Sequence, residues 1–239
     1  TAREMSSLAS GIYEMQYSID QDMRRDFDTV NSNLKEIYTL NSTIASNKLL
    51  GRSVSELEDR RDSLLSEISG IMDIQTYAQT NGTVNVFTAG GFSLLDENLY
   101  ELSFNPASSA DLFANGSTTN AVQLYRLDEK GARTGTPSTL VSAGKGAAVT
   151  SVFSGGSVKG YLDLRDLQLP DVLAKLDTLA ATMRDQVNAV HNTGVAFPGA
   201  NSYTGTRLTS GEDYSQWSGQ VRIAVLDANG KPVRSNYSD

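Results

Sequence analysis

Few residues in this sequence could do chemistry. Glu56, Glu58, Asp59 and Asp62 form a carboxylate cluster that could be read as a glycosidase pair or a calcium site. Gly155-Gly156-Ser157-Val158-Lys159-Gly160 has the glycine density of a phosphate loop, and His191 is the one imidazole available as a general base. Spacing weakens each reading. Acidic residues are favoured at a helix N-terminus, Glu58, Arg61 and Asp62 stand at i, i+3 and i+4, and no D-x-D-x-D-G loop is present. The glycine run lacks both the Gly-Lys-Ser/Thr ending and the G-x-G-x-x-G spacing, so it reads as a chain reversal. His191 has Val187 and Val195 as its i−4 and i+4 neighbours and no orienting carboxylate there, which assigns it a capping or packing role near a helix C-terminus. No catalytic, cofactor-binding or metal-binding residue is expected, and no cofactor. Arg61 with Asp62, and Arg165 with Asp166, are expected to form buried or half-buried ion pairs that fix helix register.

Composition narrows the chemistry further. The 239 residues contain no cysteine and a single histidine, which excludes disulfides, thiolate nucleophiles and Cys/His zinc sites. Lys and Arg number 20 against 28 Asp and Glu, a net charge of −8, so nucleic acid is not an expected partner. No apolar run approaches the roughly 20 residues needed to cross a bilayer, and no membrane partner is expected. Thr1-Ala2-Arg3-Glu4-Met5 has neither an initiator Met nor a signal-peptide pattern, so a processed chain or a piece of a longer protein is expected.

Around these residues the hydrophobic periodicity draws the elements. Ile19, Met23, Phe27, Val30, Leu34, Ile37, Leu40 and Ile44 alternate spacings of four and three, a period of about 3.5. This predicts one long coiled-coil-like helix over 12–50, with Asp20, Asp22, Arg24, Arg25, Asp26, Lys35 and Glu36 on its solvated flanks. Gly51 ends it. Ser53-Val54-Ser55-Glu56 has the form of a capping box and opens a second, antiparallel helix with Leu57, Leu64, Leu65, Ile68 and Ile71 inward and Arg61 outward. After Asp73 the period becomes two. Ile74 to Tyr77, a type I′ turn at Asn81-Gly82, and Thr83 to Phe87 predict a hairpin. Leu99–Phe104, Val122–Leu127 and Val149–Phe153 are further strands. Leu169, Leu173, Leu176, Ala180, Met183, Val187 and Val190 resume the heptad seam, with a break or kink near Leu169 ahead of Pro170 and a stop at Gly194. Val221 to Leu226 with Asp227-Ala228-Asn229-Gly230 reads as a strand and turn.

The expected fold class is α+β: a long antiparallel helical, coiled-coil-like stalk with inserted small β domains. Residues 1–75 and 154–195 would form the discontinuous stalk, 76–153 an inserted β domain, and 196–239 the start of a second, outer and incomplete β domain.

Four segments carry a family resemblance: Leu40-Asn41-Ser42-Thr43-Ile44; Leu57-Glu58-Asp59-Arg60-Arg61-Asp62-Ser63-Leu64; Gly155 through Asp166; and Leu176 through Gly194 with its Val187-Asn188-Ala189-Val190-His191-Asn192-Thr193-Gly194 ending. In combination and order the sequence resembles the flagellar hook-associated protein 1 (FlgK) family, as a fragment lacking that family's heptad-patterned terminal segments. It departs from the family at Glu58, where the family has a further Asp. The resemblance implies a non-enzymatic structural subunit of the extracellular bacterial flagellum that connects hook to filament. It also implies hook protein, hook-associated protein 3 and copies of itself as partners, and export through the flagellar secretion apparatus with a chaperone. Without the terminal segments, this fragment is expected to be monomeric. Another axial subunit, of flagellin or hook-associated protein 3 type, and a secreted hydrolase or sugar-binding module on a helical stalk are the alternatives.

Overall fold

A 48-residue helix, α1 (Ala2–Leu49), is the first and longest element. No proline interrupts it, and it runs through Gly11, so it starts ten residues before the position read from periodicity. The computed structural model describes residues 2–108, 120–142 and 152–193, with the side chains of 191–193 excepted. The chain divides into two compact units, Thr1–Ala180 and Ala181–Asp239. Gly51 leaves α1 at φ +64°, with the Arg52 amide donating to the Asn47 carbonyl at 2.9 Å, which satisfies the carbonyls of the last turn.

α2 (Ser55–Ile71) then packs antiparallel on α1. Its first turn corrects the expected capping box. The N-cap is Val54, not Ser53, and no side chain caps the helix; the Val54 carbonyl accepts from Leu57 and Glu58 at 3.0 and 2.9 Å while its side chain is buried. Burial of an apolar side chain here, about 1.5–3 kcal/mol, outweighs the roughly 1 kcal/mol that a polar cap would contribute. Leu64 and Ile68 face inward as expected, while Leu57, Leu65 and Ile71 are half-buried.

Six strands follow among the described residues: β1 (Ile74–Ala78), β2 (Val84–Thr88), β3 (Ser93–Leu95), β4 (Tyr100–Phe104), β5 (Val122–Leu127) and β6 (Arg133–Val141). They form two antiparallel sheets, β1-β2-β3 and β4-β5-β6, joined by a bridge between Leu95 and Leu99. β1 pairs with β2 from Ile74↔Thr88 to Ala78↔Val84. The turn between them has a positive φ only at Gly82 (+90°), not at Asn81. The Gln79 amide donates to the Thr83 carbonyl and the Gly82 amide to the Gln79 carbonyl, so the loop is one residue longer than a type I′ hairpin and needs a single left-handed position. β3 and β6 carry weak patterns and escape the periodicity reading. The expected strand at Val149–Phe153 lies partly outside the described residues; Val152 and Phe153 are not in a strand and are buried.

α3 (Gly156–Asp163) opens at Gly156, whose φ of +78° and lack of Cβ are both required, since a Cβ would stand 2.3 Å from the Ile71 carbonyl oxygen. A π-helical segment, Leu164–Gln168, leads into α4 (Leu169–Thr193). The break expected near Leu169 takes this form. Pro170 has no amide to offer the preceding turn, and widening to an i→i−5 bond, Leu169 amide to Leu164 carbonyl, accommodates it. Of the expected seam on α4 only Leu169 is buried. Leu173, Leu176 and Met183 are half-buried, and Ala180, Val187 and Val190 are exposed. An apolar stripe marks a capacity for burial, which a second surface must realise. The expected stop at Gly194, and the strand and turn at 221–230, lie outside the described residues.

One apolar cluster unites these elements. It joins Met23, Phe27, Val30, Leu34 and Ile37 of α1, Leu64 and Ile68 of α2, residues of both sheets, Phe153, and Val158 and Leu162 of α3. Phe27 is central, with ring centroids 6.3 Å from Phe104 and 6.1 Å from Phe153. Phe27→Ala should therefore lose about 3–5 kcal/mol of stability in urea unfolding, and Gly156→Ala should also destabilise. Leu176→Asp, at a half-buried position, should melt near the parent; a reversed order would mean that α1 is not the core helix.

Candidate assembly face and its buried polar anchors

Three short polar side chains of α1, Asp20 and Asn41 buried and Asn31 half-buried, each grip the backbone of the β region. Asn41 donates to the Val84 carbonyl (2.8 Å) and accepts the Val84 amide (3.1 Å). Asn31 does the same for Leu102, at 2.8 Å in both directions. Asp20 accepts the Ala107 amide at 3.2 Å. A carboxamide has the donor and acceptor of a peptide group, so Asn41 and Asn31 act as added strand residues on β2 and β4. They satisfy backbone groups whose burial unpaired would cost about 1–3 kcal/mol each.

Arg61 and Arg165 anchor the same framework. Arg61 is buried, against the expectation that it faces solvent, and Asp62 is exposed, so the expected Arg61–Asp62 pair does not form. Instead Arg61 donates to Asn41 Oδ1 (3.2 Å) and to the Gly82 carbonyl (2.7 Å), tying the hairpin tip to both helices. The Arg165–Asp166 pair does form, and it is buried. Arg165 Nε and Nη2 reach the two Asp166 oxygens at 2.7 and 3.0 Å, Nη1 lies 3.5 Å from Asp20 Oδ1, and the guanidinium sits 5.4 Å from the centroid of Phe104. One cation thus faces two buried carboxylates. Burial pushes the Asp20 carboxyl above its ordinary range, and Arg165 offsets only part of that rise.

Arg61 was expected in a pair with Asp62, whereas Asp20, Asn31 and Asn41 were not marked by the sequence as functional. Their one signal is position: Asn41 lies four residues after Ile37 and three before Ile44, on the apolar stripe. Asp20, expected on a solvated flank, is buried because the flank faces the π-helical segment and residue 107.

The positions considered for chemistry are dispersed. Glu58 pairs with Lys48 at 2.8 Å, an interaction that holds its carboxyl below the ordinary range, while Glu56, Asp59 and Asp62 are exposed on α2. Where an anion would sit against Gly155, the Asp73 carboxylate already stands, accepting from Ser154 Oγ at 2.7 Å. This favours the chain-reversal reading over a phosphate cradle. The backbone of His191 is helical, and its side chain lies outside the described residues. A groove of about 410 Å³ between α1 and the first sheet is lined by Tyr38, Asn81, Asn85, Asp96 and Glu97. Asp96 has its oxygens engaged in its own turn, accepting from Ser93 Oγ (2.6 Å), the Asn98 amide (2.7 Å) and Asn98 Nδ2 (3.2 Å). Its carboxylate thus closes the turn that follows β3.

Several outward side chains are apolar. Leu8, Met15 and Tyr17 on α1, and Val172 and Leu179 on α4, are exposed. Among the described residues no helix is long and apolar enough to cross a membrane.

The buried cluster makes a pH-dependent prediction. The folded-state pKa of Asp20 lies above its unfolded value, so its contribution favours the fold at pH below the unfolded value and is lost as pH rises through the folded one. Asp20→Asn keeps an acceptor for Ala107 and should gain on the parent as pH rises through that range. Arg165→Met leaves two carboxylates buried without their cation, which should cost about 3–5 kcal/mol at neutral pH, less in acid as Asp20 takes up a proton. Denaturant titrations across pH would read both trends.

Comparison with known proteins locates this framework. The sequence model of the flagellar hook-associated protein FlgK helical domain matches residues 1–208. Flagellar hook-associated protein 1 of Escherichia coli is 26% identical over 187 residues, 75% of this chain and 31% of that protein. Its counterpart in Bacillus subtilis is 24% identical over 252 residues, covering 97% and 47%. The flagellar hook junction protein FlgK from Burkholderia pseudomallei shares the fold, with a TM-score of 0.63 and 24% identity over 81% of this chain and 32% of that one. The chain thus spans between about a third and a half of the length of these relatives. With the family's helical domain matched over residues 1–208, the chain belongs to the flagellar hook-associated protein FlgK family.

Proposed function

We propose that the protein is a structural subunit of the bacterial flagellum, acting at the junction between hook and filament. The observation that carries this reading is the match of residues 1–208 to the helical domain of the FlgK family, since relatives with that domain are hook-associated proteins and one is a hook junction protein. The same match favours it over flagellin or hook-associated protein 3. The helices α1 to α4 act as the stalk, and the strands β1 to β6 as the inserted β region. The subunit is not an enzyme. Supporting this, its buried charged groups are engaged in holding elements together, Arg165 with Asp166 and Asp20, and Arg61 with Asn41 and the Gly82 carbonyl.

Its partners are hook protein on one side, hook-associated protein 3 on the other, and neighbouring copies of itself. The exposed apolar residues of α1 and α4 supply lateral contacts in the assembled structure. The subunit reaches that position through the flagellar export apparatus with a chaperone, and the fragment alone is monomeric, its net charge of −8 opposing self-association.

Hook and filament are different lattices, and an adaptor must offer a matching surface to each. Cells lacking the gene should therefore build hooks, bear no filaments and release flagellin into the medium, as read by electron microscopy and immunoblotting. Full-length protein with His191→Gln should restore filaments. Normal filaments in the deletion strain would remove the junction reading, and failure of a folded His191→Gln protein would reopen a chemical role.

A further inference from the structure

We propose that the outer edge of β1 is a docking site for an extended peptide strand carrying a basic side chain, supplied by a partner protein. The other sheet edges among the described residues are blunted. β3 is three residues long and is bridged onward to Leu99; β4 has its edge taken up by Asn31; and β6 carries Pro137, Gly135 at φ +72° and two register shifts. Proline and bulges are how sheets block unwanted pairing. β1 has none of these protections. Its sequence Ile-Gln-Thr-Tyr-Ala has no Gly, Pro or charge, and four of its five residues are exposed.

The ladder indicates which groups are open. Asp73 accepts the Ala89 amide and Gln79 donates to Thr83, so the odd-numbered residues between them exchange bonds with β2. The peptide groups of Thr76 and Ala78 then face away from β2. Beside them runs a groove of about 320 Å³, lined by Ile74 and Thr76 of β1 and by Asp62, Leu65, Ser66 and Ser69 of α2. A strand entering here would complete the backbone hydrogen bonds of β1 and cover Leu65 and Ile74, the strand-addition mode of recognition.

Charge selects the occupant. Asp62 is exposed and has no ion pair among the described residues, Asp59 one turn before it is likewise unpaired, and no Lys or Arg lines the groove. A lysine or arginine on the incoming strand would meet Asp62. A second copy of this chain would instead bring its own Asp59 and Asp62 to the same place, in a molecule already at −8. This surface does not depend on the junction reading.

The test uses this chain with two blocked peptides, acetyl-Val-Lys-Val-Thr-Val-amide and the same peptide with Glu for Lys. Hydrogen exchange should find the Thr76 and Ala78 amides unprotected in the free chain and protected by the Lys peptide, with no effect from the Glu peptide. Thr76→Pro removes an outward amide without touching the β2 ladder and should abolish binding. Asp62→Lys, at an exposed position that leaves the fold intact, should weaken binding by roughly tenfold or more. Protection of both amides in the free chain, equal binding of the two peptides, unchanged binding to Asp62→Lys, or dimerisation that protects Thr76 and Ala78 would each overturn the proposal.

Discussion

A buried peptide group must find a partner, and in this protein the strands β2 and β4 find theirs on a helix. Asn41 and Asn31 complete the backbone bonding of Val84 and Leu102, and Asp20 takes the amide of Ala107. The rest of the framework follows from that constraint. The two sheets line up along α1 because β2 and β4 are pinned to it at positions about three helical turns apart, and Phe27, Val30, Leu34 and Ile37 then share one core with β residues. An isolated helix of this length would be held weakly by its own backbone; it is the burial of its apolar face that stabilises it.

The buried charge at the start of α4 answers a related problem. Pro170 cannot donate to the preceding turn, and the chain widens into a π-helical segment before it. Arg165 and Asp166 lie in that segment, and Arg165 also reaches toward Asp20 on α1 and sits over Phe104 on β4. An irregular stretch of helix is thereby tied to two other elements. Buried pairs of this kind commonly contribute more to alignment than to net stability, because desolvation offsets much of the attraction. Here that desolvation is expressed in the raised pKa of Asp20, which Arg165 only partly offsets.

For the structural role proposed above this division of labour is useful. Polar groups inside fix the mutual positions of helix and sheet, while apolar residues such as Leu8, Met15, Val172 and Leu179 are left outside. In the proposed assembly these residues are the ones that would meet neighbouring subunits. The sheet edges divide in the same way: most are closed by asparagine, proline or a short strand, and β1 is open.

The sequence alone determined the long α1 stripe, the antiparallel α2, the first hairpin, β4, β5, the irregularity ahead of Pro170 and the family resemblance, because periodicity and turn residues act locally. Tertiary structure decided the rest. Val54 became an N-cap because a core was there to receive it, and Ser53 lost that role. Asp20 and Arg61 read as solvated residues from their neighbours in sequence, yet each is buried by a segment distant along the chain, residues 107 and 165 for Asp20 and the Gly82 carbonyl for Arg61. The heptad pattern of α4 promised a buried seam, and only Leu169 is buried. Hydrophobic spacing records which face of a helix can be buried; the partner that buries it, and the backbone groups a buried Asn must satisfy, exist only once distant segments meet.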